Sequence, residues 1–201
     1  NTAQAYRHIL FEISDRIACV TMNRPDKRNV LSVEHMQELT DCFSSIGENR
    51  DAAIVILKAN GPAFCAGHDL GEMIGQTPDY YRRVFDVCTR MMDTIQSIPQ
   101  PVIAQVHSIA TAAGCQLVAT CDLAVAAESA RFATPGVKIG LFCSTPMVAV
   151  SRNLPRKKTI EMLLTGEFMS AQEALQYGLV NKVAPLEEKR QILARYQGVP
   201  V

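Results

Sequence analysis

The spacing of apolar residues changes period repeatedly along this chain, and each change predicts an element. "HILFEIS" and "RIACVTMN" alternate as strands do, and Asp15-Arg16 between them opens a hairpin. "NRPDKRN", residues 23–29, is a polar, proline-containing turn. Val33, Met36, Leu39, Phe43 and Ile46 then recur at helical spacing behind Ser32, which predicts a capped helix to about residue 48. "AAIVILKA" is a short continuous apolar run, as a buried parallel strand requires. A second helix is expected over residues 79–98, with Tyr81, Phe85, Cys88, Met92 and Ile95 on one face and Pro99 and Pro101 stopping it.

"PVIAQVHS" reads as another buried strand, and the small residues of "IATAAGCQLVATCDLAVAAE" precede a short helix and a further strand. "STPMVAVSRNL" and "RKKTIEMLLTG" read as helices, the first with Ser144-Thr145 as its cap before Pro146. In "SAQEALQYG", Ser170 and Glu173 have capping-box spacing and Gly178 stops the helix. "LVNKVAP" closes the series as a strand. Strands alternating with helices make the class α/β with parallel pairing.

Composition narrows the class further. The chain is 201 residues long and 48% hydrophobic, enough for one large core, and no apolar run is long enough to span a membrane. Lys plus Arg and Asp plus Glu both number 20, so no basic field favours nucleic acid as a partner. The seven cysteines form no CxxC pair and several sit in apolar runs, which fits reduced thiols in a cytoplasm-like compartment. The four histidines show no ligand spacing, so no metal site is expected.

Candidate chemistry lies in two small-residue turns. Ala66-Gly67-His68, inside "FCAGHDL", follows a strand-like segment. Ala112-Ala113-Gly114 follows "PVIAQVHS" and precedes a helix. Small residues let a ligand approach the main chain, and two amides aimed at one point can hold a developing oxyanion, helped by the helix N-terminus near Gly114. The same turns also read as ordinary packing turns. His68 can act through its imidazole or only through its amide. Asp69 is placed to begin a helix, with Glu72 close by.

Several blocks together resemble one family. "MNRPDKRNVLS", "FCAGHDLGEM", "AQVHSIATAAGCQLVATCDLAVAAESARFATPGVKIGLF" and "LLTGEFMSAQEALQYGLVNKVAP" are similar, in order and spacing, to the enoyl-CoA hydratase/isomerase family, the crotonase superfamily. The resemblance implies a crotonase-like spiral of ββα units with mixed, mainly parallel sheets. It implies an acyl-CoA thioester as ligand, with coenzyme A as part of the substrate and no separate cofactor. The thioester oxygen would accept from the amides of His68 and Ala113. Coenzyme-binding contacts would fall on Lys27, Arg28, Val30, Ala66, Asp69 and Leu70, and on Gly114, Pro135 and Leu141. Assembly as a homotrimer or a dimer of trimers is implied too. The location would be cytoplasmic, or the mitochondrial matrix if a transit peptide has been trimmed. Residues 1–185 would form the acyl-CoA-binding core, and 186–201 a shortened C-terminal segment without the family's covering helices.

Two departures bear on the reaction. Where hydratases of this family carry glutamates, this chain has Gln116 and, in "TPGVKIG", Gly136. Hydration needs a base for water and an acid for the α-carbon, and neither replacement titrates usefully. Cys143 lies where family decarboxylases carry a polar aromatic group, and reads either as a pocket residue or as a packed thiol. Three functions follow: a hydratase/isomerase-like enzyme of fatty-acid or acyl-CoA metabolism with weak or altered chemistry, a decarboxylase of malonyl-type CoA, or a non-catalytic acyl-CoA binder.

Overall fold

The computed structural model describes residues 6–185. Strand β1 (Ile9–Ser14) pairs antiparallel with β2 (Ile17–Met22) across the expected hairpin. Asp15 and Arg16 both take positive φ, 51° and 63°, as a two-residue turn matched to strand twist demands. Chain order then runs α1 (Val33–Glu48), β3 (Ile54–Ala59), β4 (Ala63–Cys65), α2 (Leu70–Met73), α3 (Pro78–Ser97), β5 (Val102–Val106), β6 (Ile109–Thr111), α4 (Ala113–Thr120) and β7 (Leu123–Ala126). It finishes with β8 (Arg131–Ala133), α5 (Ser144–Asn153), α6 (Arg156–Thr165), β9 (Met169–Ser170), α7 (Ala171–Tyr177) and β10 (Lys182–Val183).

Two sheets result. One has the order β1-β2-β3-β5-β7-β10, parallel from β2 onward; the other, β4-β6-β8-β9, is parallel except for the β8–β9 pair. The architecture is α/β with mixed, mainly parallel sheets, as expected. β3 explains its own continuous apolar run. Val55 and Leu57 face the large core under α1 and α3, while Ile54 and Ile56 join Ile103, Val125 and Ala184 on the other face.

The long helices are built as their sequence directs, with small shifts. Ser32 accepts from the His35 amide at the start of α1, and the Gln100 side chain donates to the carbonyls of Ile46 and Asn49 at its end. Thr77 caps α3, which buries Val84, Cys88, Met91, Met92 and Ile95. Its inward face is therefore rotated from the expected one, and Tyr81 and Phe85 are only half-buried. The capping box of Ser170 and Glu173 forms, and Gly178 ends α7 at φ 90°.

Two expectations need correction. Cys143, not Ser144 or Thr145, occupies the N-cap of α5, and no side chain caps that helix. The sequence pattern also missed the second sheet, whose strands of two or three residues are too short to display a period. The C-terminal segment 186–201 lies outside the described residues.

Candidate acyl-thioester site

The second sheet delivers both candidate turns to one place. β4 ends at Cys65 and the chain turns through Gly67 at φ 96°. A Cβ on Gly67 would lie 3.0 Å from the Ala112 Cβ and 3.2 Å from the Thr111 carbonyl, so the two turns abut. Leu31 fixes the first turn: its N–H donates to the Gly67 carbonyl (2.8 Å) and its carbonyl accepts from the Asp69 N–H (3.1 Å). In an extended segment neighbouring amides face opposite ways, so the His68 N–H faces away from Leu31.

The second turn is strained. Ala112 has φ 51° and ψ −120°, a conformation costly for a residue with a Cβ, and its N–H is tied to the Ala133 carbonyl at 2.9 Å. Ala113 follows as the first residue of α4, where a helix leaves its amides unpaired. Among the described residues neither the His68 nor the Ala113 amide donates to the protein.

Both turns border a cavity of about 290 Å³. Ala66, His68, Ala112 and Ala113 form one wall, and Leu70, Met73 and Phe85 another. Pro135, Gly136, Lys138, Ile139, Leu141, Phe142 and Cys143 form a third, which continues to Ser144, Thr145 and Pro146. Lys138 is at the half-exposed rim, paired with Glu167 at 2.8 Å.

The His68 ring packs edge-on against Phe85, centroids 5.5 Å apart. Burial lowers its pKa to about 4, so the imidazole is neutral at ordinary pH, and its buried Nε2 has no partner among the described residues. Gln116 lies one turn into α4 and does not line the cavity; its Oε1 is likewise buried and unpartnered. The Cys143 thiol does line it, accepts a hydrogen bond from the Gly136 amide, and is held protonated by burial. Burial pushes Cys65, Cys88 and Cys115 up to about 12, so these thiols are packing groups.

Other expected contacts fall elsewhere. Gly114 is a packing residue rather than a wall of the cavity: a Cβ there would meet the Cys65 carbonyl oxygen at 2.2 Å, so glycine lets α4 start against β4. The Asp69 carboxylate is already engaged. It pairs with Arg24 (3.2 Å) and accepts from the Gly71 amide as the cap of α2. Lys27, Arg28 and Val30 lie outside the cavity, on a turn that the Ala66 N–H ties to the Arg28 carbonyl (3.1 Å). The Lys27 and Arg28 side chains are exposed and form no ion pair among the described residues. Sequence reading missed the residues that hold this turn. Buried Asn29 donates to the Asn60 and Ala63 carbonyls, and Arg24 reaches both the Val30 carbonyl and Asp69. It also missed the one group among the described residues whose ligand atoms converge, His8, Glu34 and Glu38, because two chain segments contribute to it. There Glu38 accepts the amides of Arg7 and His8, and Glu34 contacts the His8 ring.

A strained turn, two unpaired amides and a glycine-cleared wall invite comparison with known proteins. The enoyl-CoA hydratase/isomerase profile matches residues 12–196. This chain belongs to that family. It is 49% identical over 175 residues to enoyl-CoA hydratase domain-containing protein 3, mitochondrial, of Rattus norvegicus, covering 87% of this chain and 58% of that protein. A probable enoyl-CoA hydratase of Mycobacterium bovis is 32% identical, covering 91% and 71% of the two chains. The crystal structure of human enoyl-CoA hydratase domain-containing protein 3 superposes with TM-score 0.91 at 46% identity, over 95% of this chain and 77% of that one. An enoyl-CoA hydratase structure from Mycobacterium smegmatis gives TM-score 0.92 at 48% identity, over 95% and 75%. The chain thus spans about three fifths of the length of the domain-containing-protein-3 relative from rat.

Proposed function

We propose that this enoyl-CoA hydratase/isomerase family chain binds acyl-CoA thioesters and stabilises their enolates through the amides of His68 and Ala113, with little ordinary hydratase activity. The observation that carries this reading is the pair of unpartnered amides on abutting turns at the wall of one mostly apolar cavity. Fixed donors stabilise a charge that develops on the thioester oxygen, and losing one such donor costs about 3 kcal/mol. Gln116 and Gly136 supply no acid or base, and general acid–base help is worth roughly 10²–10⁴-fold. Coenzyme A enters as part of the substrate, and Lys27 and Arg28 offer exposed cations for its phosphates. A homotrimer or dimer of trimers belongs to the same reading; Val148, Ile160 and Leu164 expose an apolar face on α5 and α6 for it. The mitochondrial names of the relatives favour the matrix as its location.

Crotonyl-CoA tests this reading in the full-length protein. Binding with hydration far below that of a glutamate-bearing family member is expected. A normal turnover number would overturn the argument from the two replaced residues, and failure to bind any acyl-CoA would overturn the reading itself.

The missing acid and base also favour a second reading, decarboxylation of a malonyl-type CoA. There the Cα–carboxylate bond breaks, its electron pair moves into the thioester as an enolate, carbon dioxide leaves, and solvent later supplies the α-proton. No base is required. Absence of turnover on malonyl- and methylmalonyl-CoA removes it.

A further inference from the structure

Gly136 has no conformational need to be glycine. Its φ is not among the positive ones, so an alanine there would meet no backbone penalty. What excludes a side chain is space. A Cβ at residue 136 would lie 2.3 Å from the Leu141 carbonyl oxygen and 2.7 Å from the Cys143 Sγ, separations that real Cβ atoms do not show.

The Leu141 carbonyl cannot simply retreat. Residues Pro135–Ile139 form a 3₁₀ turn that closes on itself: the Leu141 N–H donates to the Gly136 carbonyl at 2.9 Å, and the Gly140 N–H to the Val137 carbonyl at 3.2 Å. The Gly136 amide lies against the Cys143 thiol, and Cys143 occupies the N-cap position of α5. Leu141 and Cys143 are also cavity wall. Room for a carboxylate at residue 136 has therefore been filled rather than left vacant, and the filling atoms shape the acyl chamber.

We infer that Gly136 is a specificity-determining residue. By lacking a Cβ it lets the Leu141–Cys143 segment close against residue 136, and that closed wall fits the chamber to thioesters that react without an added water. This rests on the acyl-CoA reading above. Restoring the two glutamates does not install hydration, because a side chain at residue 136 expels the wall before it can act on a substrate.

The test measures binding of butyryl-CoA, which has no double bond to hydrate, and hydration of crotonyl-CoA, in the full-length protein. Gln116→Glu retains butyryl-CoA affinity within about threefold. Gly136→Ala and Gly136→Glu lower it about tenfold or more, since one methylene's change in a close-fitting pocket is worth that much. The Gln116→Glu/Gly136→Glu variant hydrates crotonyl-CoA no faster than about tenfold over the parent. A hundredfold gain with affinity retained (about the lower range of acid–base help) overturns the inference. Should the Gly136 variants fail to fold, Cys143→Ala decides, because it opens the same wall from the far side. Its affinities for butyryl- and octanoyl-CoA must then diverge from the parent's by about threefold or more, and unchanged values for both overturn the assignment. Parent protein that binds no butyryl-CoA sinks the function reading. A parent that binds, with Gly136→Ala indistinguishable from it, sinks only this inference.

Discussion

The two turns at residues 66–68 and 112–113 and the wall at residues 135–143 face the same cavity but differ in what they keep. Each turn keeps one amide free, that of His68 and that of Ala113, and the second carries strain: Ala112 sits at φ 51° with a methyl group that a glycine would not have. The wall is tied back on itself. The Leu141 N–H bonds the Gly136 carbonyl, the Gly140 N–H bonds the Val137 carbonyl, and the single thiol is held protonated by burial. Two preserved donors beside a wall closed on itself fit the proposed role of holding a charge rather than moving protons.

Substitutions can break either side of that comparison. Ala113→Pro removes one proposed donor at the first helical position, where proline is tolerated. Turnover of the best acyl-CoA should fall about 10²–10³-fold with far-UV circular dichroism unchanged. A fall under fivefold would remove Ala113 from the proposed pair. Gly114→Ala attacks the frame beneath the turns, since its methyl meets the Cys65 carbonyl at 2.2 Å. A loss of about 3 kcal/mol in urea unfolding is expected.

Acid separates the buried imidazoles from the rest of the site. His68 and His35 are each lowered from 6.5 to about 4 by burial, so between these values the unfolded chain binds protons that the folded chain refuses. Stability is therefore full above about pH 6.5 and declines as pH falls toward 4, by up to about 3 kcal/mol for each histidine. Denaturation midpoints taken between those limits should drop, and a flat profile would mean that both rings are hydrated. The smallest effect belongs to His68→Ala, which keeps the amide and removes the ring. Acyl-CoA affinity should change by about threefold or less, through lost packing against Phe85. A hundredfold loss of turnover would return the chemistry to the imidazole.

Much of this was legible in the chain. Apolar spacing located β2, β3, β5 and the long helices, because each presents several residues to a core. The four strands of the second sheet were not legible, although they carry both turns; two or three residues cannot show a period, and their pairing is decided by contacts distant in sequence. At the site, small-residue turns flagged His68 and Ala113, yet the strain at Ala112 and the role of Leu31 needed coordinates. Gly114 was read as part of a small-residue turn near a ligand, and Gly136 as the place of a missing glutamate. One turns out to seat a helix on β4, and the other seats a cavity wall on itself. Asp69 was read as a helix cap and a CoA contact; only its cap and its pairing with Arg24 could be seen in the fold, and the arginine lies 45 residues earlier.

The central claim concerns two amides and one oxygen. A crystal structure of the full-length protein with a non-reactive acyl-CoA tests it most directly. The account expects the thioester oxygen about 2.7–3.1 Å from both the His68 and Ala113 nitrogens. A thioester oxygen bound instead to the His68 imidazole, or facing the Leu141–Cys143 wall, would contradict it.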